Sequence, residues 1–450
     1  MDFMTYVEEH RQEIIEATKS LLRIPSVLDT YDPASPTPFG AGIHEALMWM
    51  LDRAHADGFV TKNIENHAAH IEYGEGETLL GVLCHLDVVP AGSGWTSPPF
   101  TPTIRDGKLY ARGAMDDKGP TMAAYFALKF LKDLGVPFKK RVRIILGTDE
   151  ETAWRGIARY FEFEEKPAIG FAPDASFPLI YAEKGMWTFD ATGAYAADAL
   201  VSFSAGERYN VVPSEATAEL AVDLREPFLD FLKYQGFKGS VSGNVYTVYG
   251  KNAHAMQPHL GVNAAFVLAS FLCDHLKTPY VHAIKDMFAF DPFAEKLGID
   301  HTDKEMREFT MNVGIFRYGP EGGMMGLNAR YPNGFDLDKA EEKVKRALKS
   351  HQLDYVIKNH VPIHYVKPDT PLVNTLLEAY RKITHDHDSE PFTIGGGTYA
   401  RALGHAVAFG MLMPGRKDVA HQVDEHLHLD DLIEATAIYM EAIYALTREP

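Results

Sequence analysis

Residues 79–95 read LLGVLCHLDVVPAGSGW and residues 109–119 read LYARGAMDDKG. The first stretch opens on an apolar run, Leu79 to Cys84, of the length and character of a buried strand. The run stops at His85-Leu86-Asp87, where polar groups begin. Farther on, Arg112-Gly113-Ala114-Met115-Asp116-Asp117-Lys118-Gly119 sets two carboxylates in a glycine-flanked turn. A second strand-like run, Val142 to Leu146, leads into Asp149-Glu150-Glu151. Three segments thus finish in imidazole or oxygen donors. In open α/β sheets, ligands bind outside the carboxyl ends of the strands. The pattern points to a metal site at that edge.

The chain around this stretch has two grammars. Phe3 to Leu22 carries apolar residues at helical spacing, and Ile24-Pro25 ends the run. Residues 29–40, rich in Pro, Asp, Ser and Thr, form a loop. A helix over Ile43 to Ala56 takes Gly58 as its C-terminal cap. Short strands follow at Val60 to Ile64 and His70 to Tyr73. Pro120 suits the first turn of a helix over Thr121 to Leu134, which Gly135 stops. A helix near Trp154 to Phe161 and a strand over Ile169 to Ala172 complete an alternation that predicts a largely parallel sheet covered on both faces.

From about Met186 the pattern changes to apolar–polar alternation, as in Trp187-Thr188-Phe189-Asp190 and residues 217–222. That period belongs to antiparallel strands with one solvated face. A helix follows at Asn263 to Leu276. Pro368 to Pro371 read as a crossover, and the helices Leu372 to Thr384 and Leu429 to Thr447 return to the first style. The expectation is a discontinuous α/β domain made of residues 1–185 and 368–450, interrupted by an α+β domain at 186–367.

The composition narrows the partners. The net charge of −18 disfavours nucleic acid, which needs clustered Lys and Arg, and no basic patch with interleaved aromatics is present. The two cysteines, Cys84 and Cys273, sit in apolar contexts and read as buried small hydrophobes in a reducing compartment. The N-terminal residues carry early acids and lack the apolar core of a secretory signal. No run approaches the ~18 apolar residues of a membrane span. A cytoplasmic protein without membrane contact is the expectation.

The motifs occur in an order that resembles one family. His-Leu-Asp-Val-Val-Pro at 85–90, Arg-Gly-Ala-Met-Asp-Asp-Lys-Gly at 112–119, Asp-Glu-Glu at 149–151 and Pro-Asp-Ala at 173–175 are followed by Gly-Lys-Asn-Ala-His-Ala at 250–255. Gly-Gly-Gly-Thr at 395–398 and Ala-His-Gln at 420–422 complete the series. Each alone is weak, since isolated Asp, Glu and His are ordinary turn, loop or surface residues. Seven in order carry the signal. The chain resembles the M20 metallopeptidases, and among them the bacterial dipeptidase V (PepV) and Xaa-His dipeptidase group. The implied fold is α/β, a discontinuous di-zinc aminopeptidase-like catalytic domain with an inserted α+β lid domain.

The resemblance also implies roles. Two Zn2+ ions, with Mn2+ or Co2+ as alternatives, would be held by His85, Asp116, Glu151, Asp174 and His421. Zinc takes imidazole nitrogen and carboxylate oxygen, and paired metals roughly 3.5–4 Å apart need a ligand that offers an oxygen to each. Asp116 suits that bridge; His85 and Asp174 would complete one metal, Glu151 and His421 the other. The family places a cis peptide after the bridging aspartate, here Asp116–Asp117. Asp87 would orient the His85 imidazole. Adjacent Glu150 and Glu151 point different ways, so one can bind metal while the other, Glu150, acts as general base on the attacking water. Within the insert, Asn210 would contact substrate, His254 would polarise the scissile carbonyl, and Arg330 would grip a terminal carboxylate through its planar fork. Gly395, Gly396 and Gly397 with Thr398 would let backbone amides approach the substrate.

The implied activity is hydrolysis of dipeptides or short peptides with a free carboxylate, by a chain that is preferably a monomer because the segment near Phe288 to Tyr318 would occupy a partner's place. The alternatives are an N-acyl amino acid deacylase or desuccinylase of the same clan, and a non-catalytic metal-binding relative. The presence of Glu150, His254 and Arg330 argues against the last.

Overall fold

The strand Leu79–His85 is buried along its whole length. In this computed structural model, which describes residues 2–196 and 198–448, it lies in the middle of a mixed sheet. Met1, Ala197, Glu449 and Pro450 lie outside the described residues, so the outermost positions of the 1–185 and 368–450 segments are not covered. Strand Arg141–Gly147 pairs with Leu79–His85 in parallel on one side, and Ile169–Ala172 does so on the other. Ala406–Ala408 adds to Ile169–Ala172, also in parallel, while the flanking strands Val60–Ile64 and Ala68–Tyr73 are antiparallel. The strand and helix alternation predicts a largely parallel sheet, but only the four central strands are parallel and the strands beside them are antiparallel. The register sets His85 opposite Gly147 and Val82 opposite Phe171. Three neighbouring strands therefore end at one edge, and the chain leaves them at His85, just before Asp149, and just before Asp174.

The chain divides into two compact units: Met1–Tyr181 with Tyr365–Phe392 and Thr398–Pro450, and Ala182–His364 with Thr393–Gly397.

The helices of the first unit follow the sequence closely, with informative differences. The expected helix over 3–22 is two helices, Phe3–Glu9 and Arg11–Leu22. His10 breaks it: its Nδ1 lies 2.8 Å from the Tyr6 carbonyl, the acceptor a continuous helix would give to the His10 N–H, and that N–H turns to Val7 instead. Helix Lys118–Asp133 starts earlier than Thr121 because Asp117 already serves as its cap residue. The fully buried Lys118 ammonium donates to the carbonyls of Leu21 (3.3 Å) and Ile24 (2.7 Å), closing the end of helix Arg11–Leu22. Helix Arg155–Phe163 begins after Trp154, whose φ of 58° is left-handed, and the Asp149 carboxylate receives the Arg155 N–H at 2.9 Å. Cys84 is buried, as its context predicts, whereas Cys273 is only half-buried at the edge of the second unit's core.

The second unit is built on an antiparallel sheet. Its order is Lys238–Ser242, Val245–Tyr249, Glu215–Leu220, Leu200–Ala205, Thr310–Gly319, Gly322–Tyr331, Gly185–Gly193 and Asp354–Val361. Trp187, Phe189 and Ala191 enter its core together with Leu327 and Ala329 of the neighbouring strand and residues of helices Ala264–His275, Pro279–Met287 and Leu337–Ser350. The intervening Thr188, Asn328 and Arg330 stand on the opposite face, as period two requires.

Candidate metal centre

The edge where the parallel strands end gathers the carboxylates and imidazoles. His85 is the last residue of its strand, and its backbone N–H donates to Asp117 Oδ2 at 3.0 Å. Its Nε2 lies 3.0 Å from Asp116 Oδ1 and 3.4 Å from Asp174 Oδ2. On the other side of the same aspartate, His421 Nε2 lies 2.9 Å from Asp116 Oδ2 and 2.9 Å from Glu151 Oε1. Two donor groups result, His85–Asp116–Asp174 and Asp116–Glu151–His421, each with its ligand atoms within 4.8 Å of one another. Asp116 belongs to both, with one oxygen facing each histidine. The Asp116–Asp117 peptide is cis.

The local chain explains this placement. Gly113 adopts φ 84°, a conformation that suits glycine, and lets the turn after Arg112 fold back under the strand edge. Gly147 ends its strand against the Tyr399 ring, where a Cβ would come within 2.2 Å of the phenol oxygen. Asp149 locks the following loop through a bidentate pair with Arg155, both bonds 2.7 Å.

The donor set fits a cation. His85 Nδ1 lies 3.0 Å from the Asp87 carbonyl oxygen, which can only accept, so Nδ1 carries the hydrogen. Nε2 is then the nitrogen that meets the carboxylate oxygens, with its lone pair when the ring is neutral. Lone pairs facing lone pairs need a proton or a metal ion between them. His85 Nε2 and Asp116 Oδ1 are both buried without a hydrogen-bond partner. Imidazole nitrogen with carboxylate oxygen is a zinc-type set.

The electrostatics agree. Burial opposes a charged His85, yet Asp116, Asp174 and Asp87 pull its pKa well above the ordinary imidazole value. Hydrogen bonds that the His421 ring donates to the carboxylates of Asp116 and Glu151 raise its pKa to about 11. Burial, with Asp116 adding, pushes Glu151 up to about 7, and the same two causes raise Asp174. Burial drives Glu150 well above the usual carboxylate range. Negative charge is crowded in a poorly solvated place, and added positive charge relieves it.

Asp87 touches both the His85 ring and the acidic pair. Its carboxylate is 3.5 Å from His85 Nδ1, and the ring is held by its main-chain carbonyl. The two carboxylate oxygens instead accept the backbone N–H groups of Glu150 (3.1 Å) and Glu151 (3.0 Å).

Several residues escaped the sequence reading. Asp117 anchors both the His85 N–H and the Thr121 hydroxyl, the latter at 3.2 Å. Tyr399 is buried edge-on to the His85 ring, 6.1 Å between centroids. Glu425 lies beneath the Asp116 turn. Neighbours of recognised motifs are the only sequence signal for them: Asp117 follows Asp116, Tyr399 follows Thr398, and Glu425 comes four residues after His421.

The second unit collects the other expected residues. Asn210 and His254 are both exposed and sit side by side, with a β-bridge between Val211 and His254 and the Ala255 N–H on the Asn210 carbonyl at 3.0 Å. The buried Asn312 donates to the carbonyls of Tyr209 and Val211, bracketing Asn210. Arg330 is buried; its Nε donates to Asn328 Oδ1 at 2.9 Å, and Asn328 donates to the Thr188 hydroxyl at 2.7 Å. Arg330 Nη1 also donates to the Gly395 carbonyl at 3.2 Å, which connects it to the run through Gly396 and Gly397. Thr398, in the first unit, caps the short helical turn Tyr399–Ala402.

The fold and the site define a class. The profile of peptidase family M20/M25/M40 matches residues 81–445, and the chain belongs to that family. The Bacillus subtilis (strain 168) protein named "Putative dipeptidase YtjP" is 43% identical over 472 residues, covering 100% of each chain. Among solved structures, human carnosine dipeptidase 1 superposes with a TM-score of 0.61 at 16% identity, covering 99% of this chain and 98% of that one. The aminoacylhistidine dipeptidase of Vibrio alginolyticus gives a TM-score of 0.57 at 13% identity, covering 96% of each. At such identities the two structures speak for the fold, an α/β architecture shared with M20 peptidases. Among the described residues no helix is long and apolar enough to cross a membrane.

Proposed function

We propose that this chain is a dipeptidase that works with two divalent cations, zinc by ligand type with manganese or cobalt as alternatives. The observation that carries the proposal is Asp116, whose two oxygens face His85 and His421 separately. His85, Asp116 and Asp174 would hold one cation; Asp116, Glu151 and His421 would hold the other. When bound, such a pair polarises a peptide carbonyl and lowers the pKa of the attacking water.

The chain's own residues do the rest. Glu150, whose main chain is fixed by Asp87 and which belongs to neither donor group, takes a proton from the attacking water and delivers it to the leaving amine nitrogen. His254 donates to the developing oxyanion, and Arg330, preset by Asn328, grips the free carboxylate of the substrate. Asn210 orients the peptide, and the run of Gly396, Gly397 and Thr398 offers backbone amides to the substrate. The second unit is read as the lid that supplies substrate recognition. The relatives named as dipeptidases support the short-peptide substrate over an acylated amino acid.

The test is a panel of dipeptides, N-acyl amino acids and succinylated amino acids, assayed with the metal-loaded protein and again after chelation. Chelator-sensitive cleavage of dipeptides above the other classes supports the reading. Preferential cleavage of acyl amino acids removes the dipeptidase assignment, and activity indifferent to chelation removes the cations.

A further inference from the structure

Glu425 is fully buried, and its carboxylate is saturated by donors from a single turn. Oε2 accepts from Arg112 Nη1 at 2.6 Å and from the Gly113 N–H at 3.1 Å. Oε1 accepts from the N–H groups of Met115 at 2.8 Å and Asp116 at 3.1 Å. Its own carbonyl receives the Ala111 N–H at 3.1 Å. All four side-chain partners are N–H donors, so only a group with acceptor capacity on both oxygens serves them together. Glu425 is four residues from His421, and the turn it grips ends on Asp116.

The turn has a second anchor with a different allegiance. Asp117 Oδ2 accepts the His85 N–H and so registers Asp116 against the end of the buried strand. The His421 side has no strand end to hang from: His421 is exposed and sits in a loop, with φ 60°. That loop is tied to the same region at two further places. Asp424 accepts from Thr96 N (2.8 Å) and Oγ1 (2.7 Å), and strand His426–His428 pairs with Lys108–Tyr110. Among these ties only Glu425 reaches the Asp116 backbone itself.

We propose that Glu425 is a positioning residue that sets the separation of Asp116 from His421, and thereby the strength of the cation pocket these two form with Glu151, while the His85–Asp174 pocket is registered independently through Asp117. This rests on the two-cation reading above. Replacing Glu425 by Gln places an NH2 group against one pair of N–H donors, so half of the grip on the turn is lost at nearly constant volume.

The experiment is titration of the chelator-stripped full-length chain with Co2+, followed by calorimetry and by the d–d absorption of the bound ion. Wild type is expected to bind two ions. E425Q is expected to bind the first as wild type does and the second at least about tenfold more weakly, the scale on which groups that orient metal ligands act. D424A, which removes both Thr96 contacts from the same loop without touching the Asp116 turn, is expected to leave both steps within about threefold. Should E425Q not fold, R112M withdraws the Nη1 donor from Oε2 and is expected to shift the second step in the same direction. The proposal is overturned if E425Q, or R112M in its place, loads both ions as wild type does, if both steps weaken alike, or if D424A weakens the second step as much. Wild type binding fewer than two ions refutes instead the two-cation reading.

Discussion

Asp87 holds the His85 ring through its main-chain carbonyl, 3.0 Å from Nδ1, and leaves its carboxylate to other partners. That carboxylate receives the backbone N–H of Glu150 on one oxygen and of Glu151 on the other. One residue therefore fixes the tautomer of the histidine and the position of the acidic pair from a different strand.

Asp87→Asn should separate those two tasks. The main-chain contact to His85 survives, but the amide nitrogen then faces an N–H group, and one of the Glu150–Glu151 anchors is lost. The expected result is a kcat about 10- to 100-fold lower with two cations still bound. Steady-state kinetics beside metal analysis of the purified variant checks it; an unchanged kcat sinks the positioning role of the carboxylate.

Glu150→Gln removes the proton carrier and leaves both donor groups intact. Hydrolysis should fall by about 10² to 10⁴ at unchanged cation content, the usual range for loss of a general base. Normal turnover by a fully loaded variant would show that another group moves the proton.

Removing the cations should cost stability as well as activity. A ligand present at about 100 times its dissociation constant stabilises a fold by about 2.7 kcal/mol. Metal-stripped protein is therefore expected to unfold at lower temperature than loaded protein, with recovery on adding Zn2+, Mn2+ or Co2+. Coincident melting curves in differential scanning calorimetry would speak against tight binding at this edge.

Arg330 and Asn328 make a graded pair. Arg330→Ala should raise KM for substrates with a free carboxylate by about 10- to 100-fold, since a charge-assisted hydrogen bond contributes about 1.5–3 kcal/mol, and should have little effect on amidated analogues. Asn328→Ala, which frees the guanidinium from its 2.9 Å contact, should do the same more weakly. Equal losses on both substrate kinds in Michaelis–Menten assays would deny Arg330 the carboxylate.

His70 gives a pH dependence unconnected with catalysis. It is buried, its Nδ1 lies 2.9 Å from the Tyr160 hydroxyl, and Arg143 donates to that same oxygen at 3.1 Å. Burial first, and Arg143 second, lower its pKa from 6.5 to about 4. The folded chain thus resists a proton that the unfolded chain accepts. Above pH 6.5 neither state binds it and the full stability is present; between 6.5 and about 4 stability falls, by on the order of 3 kcal/mol in all, and then levels off. The difference in denaturant stability between metal-free wild type and H70N, followed across this window, should trace that fall. A flat difference would mean that His70 titrates normally in the fold.

Much of the architecture was legible in local pattern. The apolar run ending at His85, the alternation around Trp187 and the closing helix Leu429–Thr447 each carry a period that burial imposes on neighbouring residues, and the structure reproduces them. The break at His10 was not legible, because a side chain competing for the Tyr6 carbonyl leaves the helical spacing of apolar residues unchanged. The role of the Asp87 carboxylate was hidden for a related reason: its partners are backbone N–H groups more than sixty positions away, and backbone donors have no signature in residue type.

By itself the sequence determined which residue types stand at the strand ends and turns, and so the family and the kind of chemistry available, since hydrophobic period and donor type are properties of the residues in order. Only the tertiary structure decided the pairings: that Asp116 turns one oxygen to His85 and the other to His421, and that Glu425 grips the turn between them. Those relations depend on strand register and on loops meeting across hundreds of positions, and separation in the chain carries no distance in space until the sheet has formed.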